Sequence, residues 1–220
     1  MDSELFIQRK TKKQSILPFF IKRTIDITLG GLFLIVSFPI FLSAALAIRI
    51  ETKGSPFFLQ ERIGENGRRF KIIKLRGMYV NAKERFPELY EYSDFILQED
   101  LNFHFHFPED PRVTRVGKFC RRTSIDELPN FINVVMGDMS MVGPRPEIPE
   151  MFDGYYGYKE GYTSVKPGIT SLSKCTGRDS LTKRETLELD INYIYDQTVI
   201  SDLQIIWKTM VAVIIRKHVH

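Results

Sequence analysis

Two acidic neighbours, Asp126 and Glu127, follow two arginines, Arg121 and Arg122, in the stretch RRTSIDELPNFINVV, and another arginine, Arg145, comes soon after in VGPRPE. Carboxylates placed with guanidinium groups at a helix N-terminus suit a phosphate and magnesium site. Guanidinium forks match phosphate oxygens, carboxylates hold a hard cation, and the helix end favours an anion. The same residues carry a structural reading. Ser124-x-x-Glu127 has the spacing of a capping box, Asp126 suits the positive end of a helix dipole, and Phe131, Ile132 and Val135 continue an apolar face. Pro129 counts for neither, since proline is tolerated in a first turn.

The elements around this stretch read as globular. Residues 57–62 (FFLQER) and 70–75 (FKIIKL) predict short strands joined by a turn at Gly64-Glu65-Asn66-Gly67, a hairpin signal. Residues 81–101 look helical with an interruption at Pro87, and 102–110 (NFHFHFPED) alternates aromatic residues with His, which favours a surface or half-buried strand over a metal site because no third ligand is near. The tail, 201–217, sets Leu203, Ile206, Trp207, Met210, Val213 and Ile214 along one stripe, with Lys208, Arg216 and Lys217 nearby; it is too short to span a bilayer and reads as a core or interfacial helix. Cys120 and Cys175, the chain's two cysteines, form no disulfide framework or CxxC pair and read as small buried hydrophobes.

The 220 residues carry 31 Lys plus Arg against 27 Asp plus Glu, a net charge of +4, and a mean hydropathy of -0.15. That average excludes a polytopic transporter, but it hides two asymmetries. Residues 1–24 hold six basic side chains (Arg9, Lys10, Lys12, Lys13, Lys22, Arg23) and two acidic ones, so the other 196 balance at 25 against 25. A nucleic-acid domain would spread its basic residues over a folded face instead. Directly after this arm, Ile27 to Ile48 is 22 residues without a charge, about 33 Å of helix and enough for the hydrocarbon core.

That segment admits three structures besides a cleaved signal, which its length and the lack of an A-x-A site disfavour. A spanning helix fits the length, but Pro39 removes a helical hydrogen bond near its middle at about 3 kcal/mol. Gly30 and Gly31 weaken it further. Positive charge flanks both ends, through Lys22 and Arg23 before and Arg49 and Lys53 after, so the positive-inside rule assigns no orientation. A re-entrant helix that breaks at Pro39 and returns to the same face satisfies both flanks, with the hydroxyls of Ser37 and Ser43 as candidate partners for the exposed carbonyls. A buried core helix is the third structure.

Several motifs in order, KRTIDI at 22–27, FFLQERIGENGRRFKIIKLR at 57–76, DPRVTRVGKFCRRTSIDELPN at 110–130, NVVMGDMSMVGPRP at 133–146, KPGIT at 166–170, GR at 177–178 and LD at 189–190, make the chain resemble the bacterial sugar transferases, the monotopic polyprenol-phosphate phosphoglycosyltransferases. The resemblance covers nearly the whole chain and looks like the minimal catalytic form. It implies an α+β fold: a small, mostly helical cytoplasmic catalytic domain with a short β-hairpin, an N-terminal re-entrant helix-break-helix anchor, and interfacial amphipathic helices. The divisions are then a basic arm at 1–21, a re-entrant membrane helix at 22–50 broken at Pro39 next to Ser37, and a catalytic domain at 51–220 that includes the C-terminal helix.

The resemblance further implies transfer of a phosphosugar from a UDP-sugar to undecaprenyl phosphate, releasing UMP, as the first membrane step of a bacterial surface glycan. Asp126 matches the family nucleophile, which forms an aspartyl phosphosugar in a ping-pong sequence, and Glu127 its partner. Mg2+ is the implied cofactor, with Asp126, Glu127 and Asp190 matching the family's acids, and Arg121, Arg145 and Arg178 matching arginines for phosphate or nucleotide. The implied partners are the donor, the lipid acceptor and membrane lipid, with no nucleic acid, and a homodimer is compatible. The implied location is the cytoplasmic face of the bacterial inner membrane.

The chain also departs from the family. Phe38 separates Ser37 from the proline that a serine often precedes. The usual KFR-S/T-M reads Lys74-Leu75-Arg76-Gly77-Met78, and the common Gly-Leu-Ala-Gln is replaced by Ser171-Leu172-Ser173-Lys174, where Lys174 is expected to be a solvated loop charge in preference to a contact with a sugar substituent or phosphate. Three other classes are weighed: a non-catalytic membrane scaffold, against which the acidic pair is intact; a nucleic-acid binder, against which the globular charge is balanced; and a glycosyltransferase, which would release UDP instead of UMP.

Overall fold

The structure, a computed structural model, describes residues 16–90, 110–155, 159–177 and 180–215. The arm before residue 16, Arg178, most of the 81–101 and 102–110 segments, and Arg216 with Lys217 lie outside the described residues. Of the 81–101 segment, only short turns at Ala82–Arg85 and Pro87–Tyr90 are described, divided before Pro87 as its ring requires.

The longest element is helix α1, Ile16–Glu51, which continues through Pro39. It is the one described helix long and apolar enough to cross a membrane, and only 22% of its most apolar window is buried. That exposure sets aside the buried core helix. One narrow face, with Phe41, Ala45 and Ile48, packs on the globular body beside Leu75 and Cys120, while Ile35, Leu46 and Ile50 project outward at 74%, 61% and 78% exposure. Earlier turns use Leu29, Phe33 and Leu34 against the main core, and Gly30 lets α1 approach closely, since a Cβ there would lie 2.9 Å from Val134 Cγ1. Of the two serines, Ser43 Oγ donates to Pro39 O at 2.8 Å and Ser37 Oγ to Leu34 O at 3.4 Å. Neither goes to Ile35, whose carbonyl loses its helical partner at Pro39.

Both ends of α1 are tied to the same body. Lys22 Nζ donates to Asp202 Oδ2 at 2.6 Å and to Val142 O at 3.0 Å, and Arg23 donates to the carbonyls of Val134 and Val135. Buried Asp26 accepts from Ser140 Oγ and Met141 N, each at 2.9 Å. At the far end the Glu51 carboxylate accepts from Arg115 N and Val116 N, capping the first turn of helix α2, Arg115–Thr123. Two of the six cations counted in the basic arm, Lys22 and Arg23, therefore bind protein.

The expected hairpin forms. Strands β1, Phe57–Ile63, and β2, Arg69–Leu75, pair antiparallel, with Gln60 opposite Ile72 and Phe58 opposite Lys74. Its turn uses positive φ at Asn66 (56°) and Gly67 (75°); both residue types tolerate this region. A second, parallel pair was not expected. Strand β3, Ser140–Val142, and strand β4, Gly168–Thr170, align Ser140 with Gly168 and Val142 with Thr170, so the MVGPRP and KPGIT motifs lie side by side. The crossing is close: a Cβ on Gly143 would be 2.2 Å from Lys166 O.

Helices α3, Asn130–Met136, α4, Leu172–Thr176, α5, Lys183–Asp196, and α6, Val199–Ile215, complete the body. The core joins Phe70, Ile72, Phe131, Val134, Met141, Val142, Tyr193, Ile205 and Ile206. In α6, Ile205 and Ile206 enter this core, whereas Leu203 and Trp207 are 48% and 65% exposed. The expected stripe is thus divided between a packed face and an open apolar one. Cys120 is fully buried and Cys175 half-buried, and burial pushes the Cys120 thiol up to about 11.

Candidate active site

Asp126 and Glu127 lie on a 3-10 turn, Ile125–Glu127, between α2 and α3. The expected capping box does not form. Ser124 is the left-handed residue ending α2 (φ 58°, ψ 18°) and makes no side-chain cap. Glu127 reaches the ammonium groups of Lys174 and Lys74 instead. A full charge pair outweighs a local N–H acceptor in a buried setting. The capping box present among the described residues is Thr182 with Glu185, at the start of α5.

The two carboxylates have unlike surroundings. Glu127 Oε2 pairs with Lys174 Nζ, and Oε1 lies 3.5 Å from Lys74 Nζ. Burial disfavours its charge, but Lys174 and Lys74 outweigh burial and hold Glu127 well below the usual carboxylate range. Asp126 makes no hydrogen bond or ion pair among the described residues, and burial, followed by the charge of Glu127, raises it against the pull of Lys74, Arg121 and Lys174. One carboxylate is held in its charged form, and its neighbour is bonded by no described residue.

Lys174 is therefore a site residue and not a solvated loop charge. Its ammonium also donates to Ile169 O at 3.0 Å, and its backbone is set by the start of α4, where Ser171 Oγ accepts from Lys174 N at 3.1 Å. Lys74 had a sequence signal: it follows Phe70 and Ile72 at period two, on the strand face that is buried. For Lys174 no local pattern was available.

Beside Glu127 opens a cavity of about 250 Å³, lined by Arg62, Lys74, Arg145, Lys174 and Lys183 together with Glu127 and Glu147. Five cations against two anions make it suited to a polyanionic ligand. Glu147, also in the lining, is enclosed by Lys183, by Tyr155 Oη at 2.7 Å, by Ile148 N at 3.1 Å and by Arg62 at 3.8 Å. Burial opposes its charge, but Lys183 and Arg62 prevail and hold it at about 2.

The remaining expected residues separate. Arg145 lines the cavity with its side chain exposed. Arg121 lies 3.9 Å from Asp110 Oδ2, and its charge acts on Asp126. Arg178 is outside the described residues. Asp190, expected with the metal-binding acids, is fully buried elsewhere: it accepts from Arg145 N at 2.9 Å, from Ser173 N at 3.3 Å and from Tyr162 Oη at 3.3 Å. Its carboxylate fixes the backbone of the two loops that deliver Arg145 and Lys174. Among the described residues no three His, Cys, Asp or Glu side chains are grouped to hold a metal.

A pair of unlike carboxylates thus lies beside a cationic cavity on an α+β body that carries one long apolar helix. Residues 17–216 match the family described as bacterial sugar transferase, and the chain belongs to it. It is 38% identical, over 90% of its length, to the UDP-galactose-lipid carrier transferase of Erwinia amylovora. It is also 38% identical, over 86% of its length, to the UDP-glucose:undecaprenyl-phosphate glucose-1-phosphate transferase of Escherichia coli K12. It covers 41% and 39% of those two proteins. The exopolysaccharide production protein ExoY of Rhizobium meliloti, at 31% identity, is matched over 96% of this chain and 93% of its own length.

Proposed function

We propose that the chain transfers a phosphosugar from a UDP-sugar to undecaprenyl phosphate, giving undecaprenyl-diphosphate-sugar and UMP. The observation that carries this reading is the pairing of Asp126, bonded by no described residue, with lysine-held Glu127 at the edge of the cationic cavity. An Asp126 carboxylate oxygen attacks the β-phosphorus of the donor; a P–O bond forms to Asp126, the bond to the bridging oxygen breaks, and UMP leaves with the electron pair. A phosphate oxygen of the lipid acceptor then attacks the same phosphorus and Asp126 departs as carboxylate. The two displacements let a water-borne donor and a bilayer-borne acceptor use one site in turn.

Lys74, Lys174, Arg145 and Lys183 offset the charge of the donor diphosphate. A Mg2+ ion fits as such ions are held beside phosphates, with one or two carboxylates and the other positions from phosphate and water. Glu127 Oε1, with Lys74 beyond hydrogen-bond distance at 3.5 Å, and Asp126 would hold it, and its chemistry would be neutralisation of the diphosphate.

We further infer that α1 is re-entrant in the cytoplasmic face of the inner membrane. Supporting this, Lys22 near one end and Glu51 at the other bind the same globular body while the outer face stays apolar. Single cysteines placed before Lys22 and after Lys53 label from the cytoplasmic side only; labelling from opposite sides overturns this topology.

The test of the reaction is the protein with magnesium, undecaprenyl phosphate and a panel of UDP-sugars. UMP is released, and without the lipid the sugar phosphate remains bound to protein in a form that Asp126→Asn lacks. Release of UDP, or undiminished activity in Asp126→Asn, overturns the reading.

A further inference from the structure

The cavity contains a buried acceptor that the proposed reaction does not use. Asn130 is 3% exposed, lines the cavity, and its side-chain Oδ1 has no hydrogen-bond partner. A buried carbonyl left unpaired loses its hydration without replacement, so nearly all such groups find a partner. Asn130 lines the cavity while Oδ1 itself is covered, so a turn of the amide toward the cavity would bring it the missing partner, a ligand group that donates. A phosphate oxygen does not qualify, because it is itself an acceptor.

The backbone places this acceptor beside the reacting atoms. After the turn at Ile125–Glu127, Leu128 (φ -57°, ψ -36°) and Pro129 (φ -61°, ψ -18°) are both right-handed helical and lead directly into α3 at Asn130. Asn130 therefore follows Asp126 and Glu127 by one helical turn, the spacing at which side chains share a face. Glu127 and Asn130 line the same cavity.

In a nucleotide diphosphate sugar the attacked phosphorus carries the sugar through the C1 oxygen. The hydrogen-bond donor nearest that linkage is the substituent on C2, a hydroxyl or the N–H of an acylamino group. We propose that Asn130 is a specificity-determining residue whose Oδ1 accepts a hydrogen bond from the C2 substituent of the transferred sugar. The inference rests on the reading of the chain as a phosphosugar transferase. A site built to accept a hydrogen bond rejects the analogue that lacks it, because the buried acceptor is then left bare.

The experiment compares, in one preparation, the best of UDP-glucose, UDP-galactose and UDP-N-acetylglucosamine with its own 2-deoxy analogue, reading UMP release as kcat/KM. The wild-type protein prefers the substituted donor by at least about tenfold. Asn130→Leu reduces that preference to about threefold or less, through loss on the substituted donor. The ratio between two donors cancels any loss of folded protein, and Asn130→Ser, which is smaller and polar, supplies the same ratio where the leucine variant does not fold. A preference unchanged by either substitution, or absent in the wild type, overturns the inference. Failure of the wild type to release UMP from any donor overturns the reaction reading itself, which separates the two.

Discussion

Two glutamates line the cavity, Glu127 half-buried and Glu147 buried, and they differ in what stands beside them. Glu147 is surrounded by Lys183, Arg62, Tyr155 and a backbone N–H, an arrangement that holds the 147 region against α5. Glu127 has the same kind of lysine partner but adjoins Asp126, which no described group engages. A carboxylate paired to lysine is thus compatible with scaffold and with catalysis. In the proposed reaction the Glu127 site is distinguished by the second carboxylate, Asp126, whose neighbour pairs with the lysines.

The contrast can be broken by substitution, and the largest effect is expected at Asp126. Asp126→Asn lowers UMP release by at least about 10³-fold, while thermal unfolding changes little, since the carboxylate makes no described bond. At Glu147 the expectation reverses. Glu147→Ala leaves Lys183 buried without its partner and destabilises by about 3–5 kcal/mol, measured by thermal or denaturant unfolding.

The same residue gives a pH test. Glu147 is held at about 2 from an ordinary 4.5, so its stabilisation is fully present above pH 4.5 and is lost as pH falls through about 2. Its contribution is about 3 kcal/mol, and in Glu147→Gln this component of the acid dependence is absent. A smaller effect is expected at Lys174. Lys174→Met leaves Glu127 with Lys74 alone and lowers UMP release by about tenfold to a hundredfold. Lys174→Arg, which keeps the charge, retains more activity than Lys174→Met. Equal loss in both variants would mean that the ammonium geometry, not the charge, supports Glu127.

Local patterns reached some of this and misread some. The hairpin was legible because alternation and a Gly64-Glu65-Asn66-Gly67 turn are short-range signals. The acidic pair was legible as a candidate site from its arginine neighbours. The capping box at Ser124 and Glu127 was a correct local pattern with the wrong outcome, because Lys174, 47 residues downstream of Glu127, offers a stronger partner than a backbone N–H. Asp190 was legible as an acid of the site, but its work is to bind the backbone of Arg145 and Ser173, which no spacing in the chain discloses. Asn130 lay inside a quoted motif without a role, since burial and an unpaired oxygen exist only once the cavity does.

By itself the sequence determined the apolar helix, the hairpin, the acidic pair and the family, because each depends on residue type and short spacing. Only the tertiary structure decided that Lys74 and Lys174 converge on Glu127, that Lys22 and Glu51 return to one body, and that no described residue bonds Asp126. The physical reason is that charge pairing and burial act between strands and helices whose distance in space is unrelated to their distance along the chain.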